Sequence, residues 1–132
     1  MKKIGILHAQ LSRVIASMGH GDMLVIGDAG LPVPPGVETV DLALKQGVPG
    51  FLETLEAVLG ELQVEEAIIA AEQAERSPKM HGDIKAMWPA DIPLSSIPHA
   101  QFKELTAKAK AVVRTGEFTP YSNIILVAGV AF

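Results

Sequence analysis

Short aliphatic runs alternate with helical patterns along most of the chain. The segments 23–27 and 65–72 are apolar enough to be buried strands, and 37–44 alternates as a half-buried strand does. Apolar residues at helical spacing over 49–62 separate 37–44 from 65–72. Because strands that alternate with helices pair mainly in parallel, we predict an α/β fold with three α/β/α layers around a mostly parallel, mixed central sheet.

Weaker patterns complete the alternation. The further predicted elements are a helix that ends near Gly19, a helix over 77–88, a strand within 92–98, a helix over 99–109, and strands over 110–117 and 122–132. Only a few residues, in the segment GEFTP at 116–120, join the last two strands. A crossover connection needs about a dozen residues or more, so at least one antiparallel or edge pairing is expected.

The composition limits the class of protein. Hydrophobic residues make up 48% of the 132 residues but aromatic residues only 5%, so the core has to be aliphatic, and the length suits one domain, 1–132. The net charge of −4 and the lack of any Lys/Arg run argue against nucleic-acid and anionic-membrane partners. No apolar run approaches the roughly 20 residues that span a bilayer. The absence of cysteine excludes disulfides and thiolate metal sites, and it fits the cytoplasmic location that we expect.

Common catalytic and cofactor motifs are missing. The sequence has no cysteine nucleophile and no G-x-S-x-G motif. It also lacks G-x-x-x-x-G-K-[ST] and G-x-G-x-x-G, the usual loops that bind phosphates. Acid/base chemistry without a cofactor, or simple binding, therefore remains.

The triplet HGD occurs twice, at residues 20–22 and 81–83. Two such triplets could supply His and Asp ligands to a metal ion. The flanking sequences differ, however, and the second triplet falls within a weak helical pattern. Coincidence in glycine-rich turns is the favoured interpretation, and we predict no metal site.

Polar residues flank the first strand pattern, where burial is costly unless they are paired. His20 precedes the strand and Asp28 follows it. His20 is either a solvated turn residue or a proton shuttle, since histidine titrates near neutrality. Asp28 accepts either local backbone N–H groups in an Asx-turn or hydrogen bonds from ligand hydroxyls. Asp22 is expected to be a turn or structural residue.

A second polar island covers residues 114–123. Arg114, Glu117, Tyr121 and Asn123 supply the donors and acceptors that a polyhydroxylated ligand needs. A polar β-turn would explain the glycine and proline of this segment, but it hardly needs all four polar groups.

Four segments resemble those of the D-ribose pyranase family, which is grouped with the L-fucose mutarotases. They are GHGD, DAGLPVP, DLALKQGVP and RTGEFTPYSN. The resemblance covers 1–132, but it is weak over 73–93. The loop DAGLPVP and the segment EFTPYSN side with the ribose branch rather than the fucose branch.

The resemblance implies a reaction, a site and an assembly. The reaction converts β-D-ribopyranose to β-D-ribofuranose without a cofactor, by general acid/base opening and closure of the sugar ring. The residue that corresponds to the general acid is His20. The residues that correspond to sugar contacts are Asp28, His99, Tyr121, Ser122 and Asn123. The family forms homo-oligomeric rings, often paired into decamers, with the site at a subunit boundary.

The length of the first strand adds a geometric condition. Five residues in a strand span about 17 Å, so His20 and Asp28 of one chain can meet only if loops fold back or a neighbouring subunit supplies one of them. An interface site is therefore expected. If the two residues meet, Asp28 could orient His20 by accepting its N–H. The alternative functions are a mutarotase for fucose or another monosaccharide, and a non-catalytic sugar-binding ring protein.

Overall fold

The computed structural model describes residues 1–132 and arranges six strands in one sheet. The strands are β1 (Met23–Gly27), β2 (Glu38–Asp41), β3 (Val64–Ala70), β4 (Leu94–Ile97), β5 (Ala111–Arg114) and β6 (Ile124–Ala128). The helices are α1 (Ala9–Ser17), α2 (Phe51–Leu59), α3 (Glu72–Arg76), α4 (Pro78–Met87) and α5 (His99–Leu105), which a 3₁₀ turn (Thr106–Lys108) follows. None of these helices combines the length and the apolarity that crossing a lipid bilayer requires.

The sheet is mixed and mostly parallel, as predicted. The strand order is β2-β5-β1-β6-β3-β4, and only β6 runs antiparallel to its neighbours, β1 and β3. The expected antiparallel pairing therefore lies in the middle of the sheet. This placement arises because residues 115–123 carry the chain from β5 past the end of β1 to β6.

Helices cover both faces of the sheet, which confirms the three layers. Side chains alternate along β1, so that Leu24 and Ile26 belong to the same core as α1, α2 and α4. On the other face, Val25 packs in a smaller core with Phe102 of α5. The cores consist mainly of aliphatic side chains, as the composition predicts.

Several elements are shorter than the apolar patterns that predicted them. Helix α2 starts after Gly50, whose N–H donates to Glu53 Oε1 at 2.7 Å, and it ends before Gly60. Strand β3 stops at Ala70, and the residues that follow form α3, which the sequence pattern did not predict. Apolar composition indicates burial, whereas a strand ends where its neighbours stop pairing with it.

The parallel strands give the sheet two different ends. At the carboxyl end of the sheet, β1 to β5 finish and β6 begins; at the amino end, β1 to β5 begin and β6 finishes. Sites in α/β sheets form in the crevice outside the carboxyl ends of the strands. The reversed β6 therefore contributes the residues before it, rather than those after it, to that crevice.

Candidate active site

Two polar residues meet where β1 ends and β6 begins. The pairing of Ile26 with Ile124 brings Asp28 beside Asn123, and Asn123 Oδ1 accepts the Asp28 N–H at 2.8 Å. Asn123 is 1% exposed. Because that bond fixes the carbonyl side of the amide, the nitrogen of Asn123 is the side oriented to donate.

The carboxylate of Asp28 closes a turn and also faces a cavity. Its Oδ1 accepts the Gly30 N–H at 3.0 Å, which confirms the Asx-turn interpretation. Burial raises the pKa of Asp28 above its ordinary value of 3.8, although hydrogen bonds from Gly30 and Asn123 act in the opposite direction. The second interpretation, a carboxylate that accepts ligand hydroxyls, stays a prediction.

His99 and Tyr121 form an aromatic wall beside Asp28. Their rings make an edge contact with centroids 5.0 Å apart, and Phe102 stacks on His99 at 6.1 Å. The Nδ1 atom of His99 is buried without a hydrogen-bond partner. The backbone N–H of His99 donates to the Glu72 carboxylate at 3.0 and 3.1 Å, which anchors the start of α5.

These side chains line a cavity of about 360 Å³, within the usual range for small-molecule sites. The lining residues are Asp28, Gly30, Leu31, Pro32, His99, Lys103, Pro120, Tyr121 and Asn123. Ser122 is not among them, since it is fully buried and its Oγ has no hydrogen-bond partner. One chain thus brings together four of the six predicted site residues around one cavity.

His20 lies at the other end of the sheet. It precedes β1 at the amino end, and its side chain is 59% exposed. Its Nε2 atom lies 2.8 Å from Glu65 Oε2. Within one chain, His20 therefore contacts Glu65 and not Asp28, its predicted partner. The whole of β1 separates His20 from Asp28.

The polar island at residues 114–123 divides into separate structural roles. Arg114 does not pair with Glu117; its Nη1 lies 3.1 Å from Asp41 Oδ2. Glu117 Oε1 accepts the N–H of Phe51 at the start of α2, at 3.1 Å. Partial burial would raise the pKa of Glu117, but this bond and those from Thr119 outweigh it and lower the pKa. Both side chains line a second cavity, of about 430 Å³, which also includes Asp28.

The two HGD triplets are unrelated in structure. Asp22 accepts the Gly19 N–H at 2.8 Å, and its Oδ2 lies 3.2 Å from Lys110 Nζ, which confirms its structural role. The Gly19 hydrogen bond, with that of Lys110, lowers the pKa of Asp22. The second triplet lies within α4. No three His, Asp or Glu side chains lie close enough together to hold a metal ion.

Sequence reasoning missed the residues that support the cavity from behind. Glu72 and Gln73 belong to α3, and Gln73 Nε2 donates to the carbonyl oxygen of Tyr121 at 2.8 Å. Lys103, one turn after His99, lines the cavity itself. Helical spacing from His99 could have indicated Lys103. Nothing in the sequence pattern indicated Gln73, whose partner is 48 residues away.

Comparison with known proteins finds relatives of the full chain that are named D-ribose pyranases. The pattern of the RbsD / FucU transport protein family matches residues 1–131. The D-ribose pyranase of Laribacter hongkongensis is 54% identical, and that of Symbiobacterium thermophilum is 52% identical. Each alignment extends over 132 residues and covers 100% of both proteins.

Solved structures agree with these sequence matches. The structure of Bacillus subtilis RbsD complexed with D-ribose matches with a TM-score of 0.96 and 46% identity, and the match covers 100% of both chains. The fucose mutarotase of Streptococcus pneumoniae, in complex with L-fucose, matches with a TM-score of 0.77 and 25% identity over 94% of each chain. The ribose-bound structure is thus the more similar of the two.

Proposed function

Because this chain belongs to the RbsD / FucU family, we propose that it is an isomerase that interconverts β-D-ribopyranose and β-D-ribofuranose. The observation that carries the proposal is the cavity at the carboxyl end of the sheet, in a chain whose full-length relatives are D-ribose pyranases. This cavity holds a carboxylate, an amide, an imidazole and a phenol, the groups that bind sugar hydroxyls.

The reaction needs only proton transfers. A base takes the proton of the anomeric hydroxyl while the bond between C1 and the ring oxygen breaks, and an acid protonates that oxygen. The open aldehyde then rotates, and the C4 hydroxyl attacks C1. Its proton leaves as the new anomeric oxygen gains one, so the protons balance over the cycle. General acid/base help of this kind contributes about 10²–10⁴-fold.

The residues of one cavity suit the binding of the sugar. Asp28 accepts hydrogen bonds from sugar hydroxyls, and the amide nitrogen of Asn123 donates to sugar oxygens. Tyr121 and His99 add one polar group each and an apolar ring edge beside the sugar ring. Ser122 is buried and does not line this cavity, so its contact with the sugar stays a prediction.

The proton donor comes, in this proposal, from a second copy of the chain. His20 is exposed and lies at the amino end of the sheet, so a head-to-tail neighbour could place it against the cavity at the carboxyl end. Exposed apolar side chains at both ends suit such contacts: Phe118 beside the cavities, and Val130 and Phe132 after β6. A head-to-tail contact that closes gives a ring, and two rings could pair into a decamer.

Saturation-transfer NMR on purified protein tests the function. We expect the exchange between ribopyranose and ribofuranose to accelerate in proportion to protein concentration. Acceleration for L-fucose alone would replace this function by that of a fucose mutarotase. Ribose binding with exchange at the buffer rate would instead indicate a sugar-binding ring protein without catalysis.

A further inference from the structure

A buried glutamine lies behind the cavity that Asp28, His99 and Tyr121 line, here called the sugar cavity. Both polar atoms of its amide form hydrogen bonds. Gln73, on α3, is 0% exposed. Its Nε2 donates to the carbonyl oxygen of Tyr121 at 2.8 Å, and its Oε1 lies 3.0 Å from Nδ1 of His81 on α4. Buried polar groups are costly unless bonded, so this double engagement fixes the glutamine in one orientation.

The chemistry of the groups fixes the direction of each bond. A backbone carbonyl can only accept, so the amide nitrogen of Gln73 has to face Tyr121. The amide oxygen then faces His81 and can only accept, so Nδ1 of His81 carries the proton.

A second bond holds the preceding carbonyl. Ser77, which is 6% exposed, donates its Oγ–H to the carbonyl oxygen of Pro120 at 2.6 Å. Two consecutive carbonyls, those of Pro120 and Tyr121, are thus held from behind by α3 and the start of α4. Tyr121 itself has φ = +60°, in the left-handed region, which is unfavourable for a residue other than glycine. A conformation of this kind persists only where its surroundings impose it.

We propose that Gln73, Ser77 and His81 form a positioning network that imposes the left-handed conformation of Tyr121 and so sets its ring against His99, beside the sugar. The inference rests on the proposed function and extends it to residues that do not line the sugar cavity. It also gives His81 a role that is distinct from that of His20. A misplacement of about 1 Å at a reacting site can cost on the order of 10²-fold in rate.

The main test replaces Gln73 by methionine, which keeps the length of the side chain and removes both polar ends. We expect Gln73→Met to lower kcat/KM for ribose ring exchange by about tenfold to hundredfold. Tyr121 is the only tyrosine, so protein labelled with ¹³C-tyrosine gives one ring signal. That signal should shift or broaden in sugar-free Gln73→Met. Lys79→Gln, an exposed change on the same helix as His81, should alter neither readout.

A second pair of variants decides the case if Gln73→Met does not fold. Asparagine places an amide N–H near the position of Nδ1, so His81→Asn should keep the wild-type tyrosine signal and activity within about threefold. His81→Leu should shift the signal and lower kcat/KM. Equal behaviour of His81→Asn and His81→Leu would overturn the proposal.

The two readouts also have to agree. A folded Gln73→Met protein with normal kcat/KM, or with lowered kcat/KM but an unchanged tyrosine signal, would contradict positioning through Tyr121. If wild-type protein does not accelerate ribose exchange, the proposed function fails. The tyrosine signal of the variants would still show whether the network holds Tyr121.

Discussion

His20 and Asp28 lie at opposite ends of a single five-residue strand, β1. Such a strand spans about 17 Å, and β6 pairs along its length, so the two side chains of one chain are held apart. If both residues act on one sugar, they have to come from different copies of the chain. This relationship makes the interface site open to a direct genetic test.

Mixing two inactive variants should restore activity. We expect His20→Ala and Asp28→Ala each to lose the acceleration of ribose exchange while keeping the oligomer. When the two are unfolded together and refolded as a mixture, about a quarter of the sites pair an intact His20 with an intact Asp28. The exchange rate of the mixture should therefore reach about a quarter of the wild-type rate, as measured by saturation-transfer NMR.

The control for this mixture is a chain that carries both substitutions. Mixed with His20→Ala, it offers no intact His20 and should restore nothing. Failure of the His20→Ala and Asp28→Ala mixture, in oligomers that mass spectrometry shows to be mixed, would mean that one chain supplies the whole site.

The Asp28→Asn variant should be more stable than the wild type at neutral pH but inactive. Burial raises the pKa of Asp28 above 3.8 in the folded protein, so folding favours the protonated carboxyl group. The stability that Asp28 contributes is therefore present below pH 3.8 and is lost as the pH rises through the pKa of the folded protein. Asparagine keeps the turn acceptor without the charge. Thermal unfolding should show a gain of a few degrees at pH 7 that disappears near pH 3.

Asp22→Asn is the matched control with the opposite sign. The Gly19 N–H and Lys110 lower the pKa of Asp22, so its carboxylate contributes stability at neutral pH that is lost as the pH falls through the folded pKa. Asp22→Asn should therefore lower the unfolding temperature at pH 7. If the unfolding temperature at pH 7 changed in the same direction in both variants, the loss of one negative charge would explain the changes, and the local environments of Asp22 and Asp28 would not.

Glu117 should stabilise the start of α2 in its charged form. Its pKa is lowered by hydrogen bonds from Phe51 and Thr119, so this stabilisation is full above pH 4.5 and is lost as the pH falls through the folded pKa. Because solvent screens the partly exposed carboxylate, Glu117→Gln should cost about 0.5–1 kcal/mol at pH 7. Denaturant unfolding at pH 7 and pH 3 checks this, and an equal cost at both pH values would contradict it.

Two glycines should respond in opposite directions to alanine. A Cβ on Gly116 would lie 2.5 Å from the Lys45 carbonyl oxygen and 2.7 Å from the Val48 nitrogen, so Gly116→Ala should cost about 1–3 kcal/mol. A Cβ on Gly82, within α4, meets nothing within 4 Å, and Gly82→Ala should add about 0.5–1 kcal/mol. Denaturant unfolding measures both changes, and a stabilised Gly116→Ala would show that the 45–48 turn can move aside.

The sequence predicts individual strands, helices and site residues better than it predicts the contacts between them. The strand at 23–27 and the helix from His99 followed from apolar spacing and loop residues. The central place of β6 did not, because strand order depends on pairing between distant segments. Likewise, Asp28 and Asn123 were named from the sequence, but the bond between them joins residues 95 positions apart. His8, which the sequence pattern did not single out, caps α1 because its Nδ1 accepts the Leu11 N–H.

The position of β6 has a consequence for aggregation. β6 alone joins the group β2-β5-β1 to the pair β3-β4, because it pairs with both β1 and β3. When β6 leaves the sheet, β1 and β3 each gain an unpaired edge in the middle of the molecule. Such edges expose N–H and C=O groups to other chains. Substitutions that weaken the pairing of β6 should therefore increase aggregation during refolding.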